Sequence, residues 1–263
     1  MSNTPAKPAP EFSLTDKIIV LTGGAGLYGR GLSAQIASSG ATLILASRNL
    51  EALEKIAAEE RGLGRIVHAR FLDQADETSI LCLRDSVLAE FGRVDGLVNN
   101  AVARPMKTAD APLAAWEASM KTNATGFFAI SRAFGQAMAN QGNGSIVNIG
   151  SIQGMVGPNY SLYEGLDMHA IPDYFFHKAG MVNLTRFFAA HYGPSGVRVN
   201  CVSPGGFFSG QPPLFVERYA KATFLRRMAE DGDLGGPVIF LLSEAARYIT
   251  GVNLPVDGGY TAH

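Results

Sequence analysis

Residues 17–48 read KIIVLTGGAGLYGRGLSAQIASSGATLILASR, and the fold turns on this stretch. Its start is a short apolar run that ends in Thr22-Gly23-Gly24. Such a run reads as a strand buried on both faces that feeds a tight turn. RGLSAQIASSG places Leu32 and Ile36 one helical turn apart and stops at Gly40, which is how a helix with a C-terminal glycine looks. ATLILAS is a second apolar strand. Strand, helix and strand within roughly 30 residues form a crossover unit, so the two strands run parallel.

The alternation continues along the chain. LEALEKIAAEERG, DETSILCLRDSVLAEFG, residues 113–140 and DYFFHKAGMVNLTRFFAAHYG have helical character. RIVHARFLD, VDGLVNNA, GSIVNIGS, VRVNCVSPGG and a terminal GVNLPVDGG bring the strands to about seven. The expectation is one α/β domain over residues 14–263: a doubly wound, Rossmann-like parallel sheet with helices on both faces. Residues 1–13 hold three prolines and no apolar core, and read as a flexible arm, neither signal peptide nor anchor. Near the other end, the irregular 206–213 precedes the helical LFVERYAKATFLRRMAE. Residues 206–229 are thus a candidate lid, or equally a fixed element.

Composition narrows the partners. The 263 residues are 47% hydrophobic and 17% charged with net charge −1, which suits a sizeable core. No run of Lys or Arg points to nucleic acid or an anionic membrane, and no apolar stretch approaches the ~18–20 residues of a membrane span. Cys82 and Cys201 stand in no metal-binding or redox spacing. Two free thiols and no metal suit a cytoplasmic protein.

Gly24, Gly26 and Gly29 fit G-x-G-x-x-G between a strand and a helix, the context that motif requires. Glycines let a pyrophosphate approach the backbone, and the helix N-terminus offers free N–H groups and positive dipole. Gly23, Leu27 and Tyr28 complete the expected cradle. A ligand-free turn would use the same glycines. The second strand ends in Ala46-Ser47-Arg48, with no carboxylate for a ribose 2′-hydroxyl. A guanidinium suits a 2′-phosphate, so NADP(H) is expected ahead of NAD(H), with Ser47 and Arg48 at its adenosine end. Arg48 could equally be a solvated side chain.

Together these segments resemble the short-chain dehydrogenase/reductase family. TGGAGLYG resembles its Thr-Gly-x-x-x-Gly-x-Gly loop, and NNAV (Asn99–Val102) its Asn-Asn-Ala-Gly turn. KTNATGFF puts Asn123 where the family has its catalytic asparagine, and IVNIGS resembles the strand that delivers its catalytic serine, here Ser151. Tyr174-x-x-x-Lys178, VNCVSPGG, RMAEDGDL and VDGG follow in the family's order, so the likeness runs from Lys17 to Gly259. Three features depart from it: the family's middle glycine falls on Leu27, Val102 replaces a glycine, and 22 residues separate Ser151 from Tyr174.

The long spacer raises a choice among tyrosines. Tyr163 has Asp167 four residues on, and Tyr160 has Glu164; only Tyr174 has a lysine at that spacing. It also lies in a helix that Pro172 can start. Side chains at i and i+4 share a helix face, and a neighbouring cation favours the phenolate that proton exchange requires.

The resemblance then implies roles. Tyr174 is the general acid/base, Ser151 hydrogen-bonds the substrate oxygen, Lys178 holds the nicotinamide ribose, and Asn123 supports a proton relay. Asp73, Asn100, Ala101, Pro204 and Gly205 would border the cofactor, although Asp73 also reads as a helix cap and Pro204-Gly205 as a plain turn. The implied reaction interconverts a secondary alcohol and a ketone by hydride transfer. A cofactor-binding sensor without turnover, or an isomerase or dehydratase that recycles its cofactor, would keep the same fold. The family also packs the helix after Tyr174 on a partner subunit, which implies a homodimer or homotetramer; Phe175, Phe176, Met181, Val182, Leu184, Phe187 and Phe188 read as a helix buried on most sides.

The insertion, about 155–172, falls between catalytic positions and is expected to border the substrate. NYSLYEGLDMH is rich in hydroxyls, amide and carboxylates, so a polar small molecule is expected: a sugar, sugar acid or polyol. Within the family, SLYEG resembles the insertion of sugar-type and nonulosonic-acid-pathway oxidoreductases. Asn159, Tyr163 and Glu164 are the candidate contacts, with Arg104 for an anionic group. A solvated surface loop would carry the same residues, and His169 has no assigned role.

Overall fold

The structure is a computed structural model that describes residues 10–263. Of the arm expected over 1–13, residues 1–9 lie outside the described residues. Pro10–Phe12 forms a 3-10 turn, with the Phe12 ring 6.1 Å from that of Phe240.

Among the described residues, seven strands form one parallel sheet: β1 (Ile18–Thr22), β2 (Thr42–Ser47), β3 (Val67–Phe71), β4 (Gly96–Asn99), β5 (Gly144–Ile149), β6 (Val197–Pro204) and β7 (Asn253–Val256). Their order is β3-β2-β1-β4-β5-β6-β7. Successive strand residues point to opposite faces, and both faces are covered. On one, Leu21, Leu45 and Val147 pack beneath α1 (Leu27–Ser38) and α2 (Leu50–Gly62). On the other, Val20, Ile44 and Ile146 pack beneath α3 (Glu77–Phe91) and the helical segments Phe127–Gln141 and Pro172–Tyr192. Burial on both sides is why these strands read as unbroken apolar runs.

The helical stretch 113–140 is three pieces. α4 (Leu113–Met120) passes into a π-helical turn, Lys121–Gly126, and then into α5 (Phe127–Gln141). Gly126 explains part of this, since a Cβ there would overlap the Gln74 carbonyl in the loop after β3. α6 (Pro172–Tyr192) starts on Pro172, as its sequence predicts. It is not buried on most sides of this chain: Met181, Val182 and Phe188 are covered, while Phe176 and Phe187 are 59% and 56% exposed.

Two differences from the sequence expectation lie near the C-terminus. α7 ends early, at Pro213–Lys221. Beyond it Thr223 Oγ1 donates to the Ala220 and Arg227 carbonyls, and Arg226 turns left-handed with φ 57°. α8 (Gly235–Leu242), GGPVIFLL, goes unread because it opens on Gly-Gly-Pro and has no polar face to set a period. Among the described residues, no helix is long and apolar enough to cross a membrane.

Phe134 of α5 is fully buried against the sheet. Replacing it with alanine is expected to lower stability by about 3–5 kcal/mol. Urea unfolding at fixed protein concentration measures this.

Candidate active site

In a parallel sheet all strand C-terminal ends share one edge. Here the strand order reverses between β1 and β4, and the loops after β1, β2, β4, β5 and β6 surround a cavity of about 830 Å³.

The turn after β1 forms one wall. Thr22 Oγ1 accepts hydrogen bonds from the Asn100 and Ala101 backbone N–H groups, 3.0 Å each. Asn100 Nδ2 donates to the Thr22 and Gly23 carbonyls. These bonds tie the loops after β1 and β4 together. Gly23 has φ +66°, and a Cβ there would lie 2.8 Å from Ala101 Cα. The motif glycines divide by task. Gly23 and Gly26 line the cavity with Leu27 and Tyr28. Gly24 packs under Leu45 and Leu53, while Gly29 lets α1 pass the Gly23 carbonyl; neither borders the cavity. Tyr28 donates to the Gly205 carbonyl at 2.8 Å, and its ring meets Phe207 edge-on.

Ser47, Arg48 and Asp73 also line the cavity. Asp73 Oδ1 accepts from Ala75 N at 2.9 Å, while the cap of α3 is Asp76. Asn100, Ala101, Pro204 and Gly205 line the cavity as well.

Ser151, Tyr174 and Lys178 line the same cavity. Ser151 caps a 3-10 turn and its Oγ accepts from Gln153 N at 3.1 Å. Its hydroxyl proton is therefore free to donate elsewhere. Lys178 is almost wholly buried, and its Nζ donates to the Ile149 carbonyl at 2.5 Å. Burial pushes its ammonium below the usual lysine value; Tyr174 and Cys201 pull it back up, and Arg104 adds to the lowering. Nζ lies 5.6 Å from the centre of the Tyr174 ring, and the Arg104 guanidinium 4.8 Å from it.

Asn123 does not line the cavity. It sits in the π-helical turn, where Oδ1 accepts from Ala103 N and Nδ2 donates to the Ala103 carbonyl and to Ser119 Oγ. With its amide engaged this way, it braces the loop after β4. π turns recur at functional sites.

The insertion and α7 form a roof. Arg218 donates to the Glu164 carbonyl, and the Tyr163 ring lies 5.6 Å from that of Phe215. Asn159 and Tyr163 line the cavity, as does Arg104. Glu164 does not: the 3-10 turn Tyr160–Leu162 rolls Leu162 inward and leaves Glu164 exposed. Residues 206–229 are pinned at their ends, since Phe208 N donates to the Ala229 carbonyl and Ala229 N to the Gly206 carbonyl.

Sequence reasoning missed Asp173, Gln74 and Tyr260 on the cavity wall. Tyr260 returns there because Asp257 accepts from Gly259 N and Thr261 N, closing a turn that stacks Tyr260 on Tyr219 at 5.2 Å. An Asp-Gly-Gly signal was available for that turn.

Beside Lys178, His177 is buried with neither ring nitrogen hydrogen-bonded among the described residues. Burial first, then Lys178 and Arg104, push it down to about 3 from 6.5. A histidine held neutral this way favours the folded state fully above pH 6.5, and that contribution is lost as the pH falls toward 3. Between pH 7 and pH 5 the wild type is expected to lose about 2 kcal/mol more than His177→Phe. Urea unfolding at both pH values checks it.

The geometry agrees with three comparisons. Residues 26–261 match the profile of a family described as enoyl-(acyl carrier protein) reductase. D-threitol dehydrogenase of Mycolicibacterium smegmatis is 34% identical over 259 residues, 95% of each chain. The structure of gluconate 5-dehydrogenase from Burkholderia cenocepacia with NADP and tartrate superposes with a TM-score of 0.88 at 28% identity, covering 97% of this chain and 98% of that one. NAD+-bound xylitol dehydrogenase gives 0.85 at 28% identity, covering 94% and 99%. The chain belongs to the short-chain dehydrogenase/reductase family of nicotinamide-dependent oxidoreductases.

Proposed function

We propose that the chain interconverts a secondary alcohol and a ketone on a polyol or sugar-like substrate, with NADP(H) ahead of NAD(H). One observation carries this: Ser151, Tyr174 and Lys178 line the same cavity as the glycine-rich turn. Related dehydrogenases that act on threitol and xylitol support the substrate class.

A dinucleotide fits the wall as built. Gly23 has no side chain to fill the space beside Ala101, and Gly26, Leu27 and Tyr28 open the N-terminus of α1 toward the cavity. Ser47 and Arg48 would receive the adenosine end, Asp73 the adenine, and Asn100, Ala101, Pro204 and Gly205 the rest. When bound, the nicotinamide supplies or accepts the hydride.

The protein's residues move the proton. Tyr174 takes the hydroxyl proton during oxidation and returns it during reduction. Ser151, already accepting from Gln153 N, donates to the substrate oxygen and stabilises charge there. Lys178 has three donors and one carbonyl partner, so two remain for ribose hydroxyls. Nζ lies 5.6 Å from the centre of the Tyr174 ring, so the same side chain borders both the ribose and the proton-transfer site. Asn123 positions the loop that carries Arg104, and supports a proton relay through water. Arg104, Asn159 and Tyr163 meet the substrate.

The reading extends to organisation. Residues 14–263 form one domain, 155–172 is the substrate-site insertion, and 206–229 is the lid. Exposed Phe128, Phe176 and Phe187 mark the side of α5 and α6 that a second copy would cover, giving a dimer or tetramer. Free Cys82 and Cys201 suit the cytoplasm.

The test is a fluorescence titration with NADPH and NADH, followed by oxidation of threitol, xylitol and galactitol with the matching oxidised cofactor. NADPH is expected to bind at least tenfold tighter, about 1.4 kcal/mol, and Arg48→Ala to remove the gap. Equal binding of both forms would overturn the NADP(H) preference. Tight binding with no turnover of any polyol would overturn the substrate class.

A further inference from the structure

We infer that Asp173 sets substrate specificity, its carboxylate accepting a hydrogen bond from a substrate hydroxyl near the reacting carbon. This rests on the polyol reading above.

Asp173 directly precedes Tyr174 in the first turn of α6 and lines the same cavity. It is 2% exposed, and its Oδ1 is buried with no hydrogen-bond partner among the described residues. The other carboxylates nearby differ. Asp73 accepts from Ala75 N, Asp257 closes the C-terminal turn, Asp233 pairs with Arg227, and Glu164 is exposed. A carboxylate left buried and unmatched costs free energy, and buried polar groups are almost always satisfied. The first turn of a helix favours a negative charge, yet no N–H of that turn bonds the Asp173 Oδ1 atom, and Ile171 caps the helix without a side-chain bond. The cavity that Asp173 borders is where a partner can come from.

The neighbours narrow its chemistry. Arg104 lines the cavity over the Tyr174 ring but forms no ion pair with Asp173. His177, one helical turn on, is held neutral and brings no counter-charge. The cavity thus offers an acceptor, Asp173, and a donor, Arg104. A hydroxyl next to the reacting carbon can donate to the first while other oxygens accept from the second. An apolar alcohol would leave Asp173 unmatched, and a site built to bond a hydroxyl rejects the analogue without one.

The experiment compares kcat/KM for threitol or xylitol with that for cyclopentanol, a secondary alcohol with no second hydroxyl. Wild type, Asp173→Asn and Asp173→Ala are assayed, with NADPH titration of each as a check on the cofactor site. The polyol-to-cyclopentanol ratio is expected to fall about tenfold or more in Asp173→Ala, through KM more than kcat. Asp173→Asn, which keeps an acceptor oxygen, is expected to fall less. If wild type turns over polyols and both variants keep its ratio, Asp173 is a structural residue and the inference fails alone. If wild type turns over cyclopentanol and no polyol, the polyol reading and this role fall together.

Discussion

Parallel pairing is the constraint on which the rest depends. Seven strands running one way place every C-terminal end on one edge, and both faces must be roofed by helices. The reversal of order between β1 and β4 sends the neighbouring connections apart and leaves the crevice between them uncovered. Loops far apart in sequence then meet. Thr22 bonds the backbone of Asn100 and Ala101, and Tyr28 bonds Gly205. The cavity is a product of topology before any reactive side chain is considered.

The reactive helix is held to that edge by buried polar groups. Lys178 reaches from α6 to the last residue of β5, which fixes the face that also carries Tyr174. A desolvated ammonium with one carbonyl partner is expensive to bury. Such a group is retained where a ligand completes its bonding. Asn123 does the matching work on the opposite side, where the π turn lets its amide clasp Ala103. The same elements that stabilise the fold therefore set the positions of the groups that would handle the proton.

Much of this was legible in the residues. The sheet was readable because buried parallel strands are continuous apolar runs, as in ATLILAS and GSIVNIGS. The choice of Tyr174 over Tyr163 and Tyr160 followed from a lysine at i+4 and a proline at the helix start. Tyr163 instead packs on Phe215 in the roof, outside any α-helix. Other features have no local signal. The π turn answers to the Gln74 backbone, a tertiary contact. Glu164 faces outward because of a 3-10 turn that composition does not reveal. Asp173 carries no local signal beyond its place beside Tyr174, and the missing partner of its Oδ1 is visible only in three dimensions. α8 was hidden by its Gly-Gly-Pro start.

The central claim is that Tyr174, and no tyrosine of the insertion, exchanges the proton. Single-turnover reduction of the bound dinucleotide by a polyol, in wild type, Tyr174→Phe and Tyr163→Phe, tests it most directly. The account predicts that Tyr174→Phe slows this step by about 10²–10⁴ while still binding the dinucleotide. Tyr163→Phe should stay within about tenfold of wild type, since it loses one hydroxyl contact. A fast Tyr174→Phe beside a dead Tyr163→Phe would contradict the account.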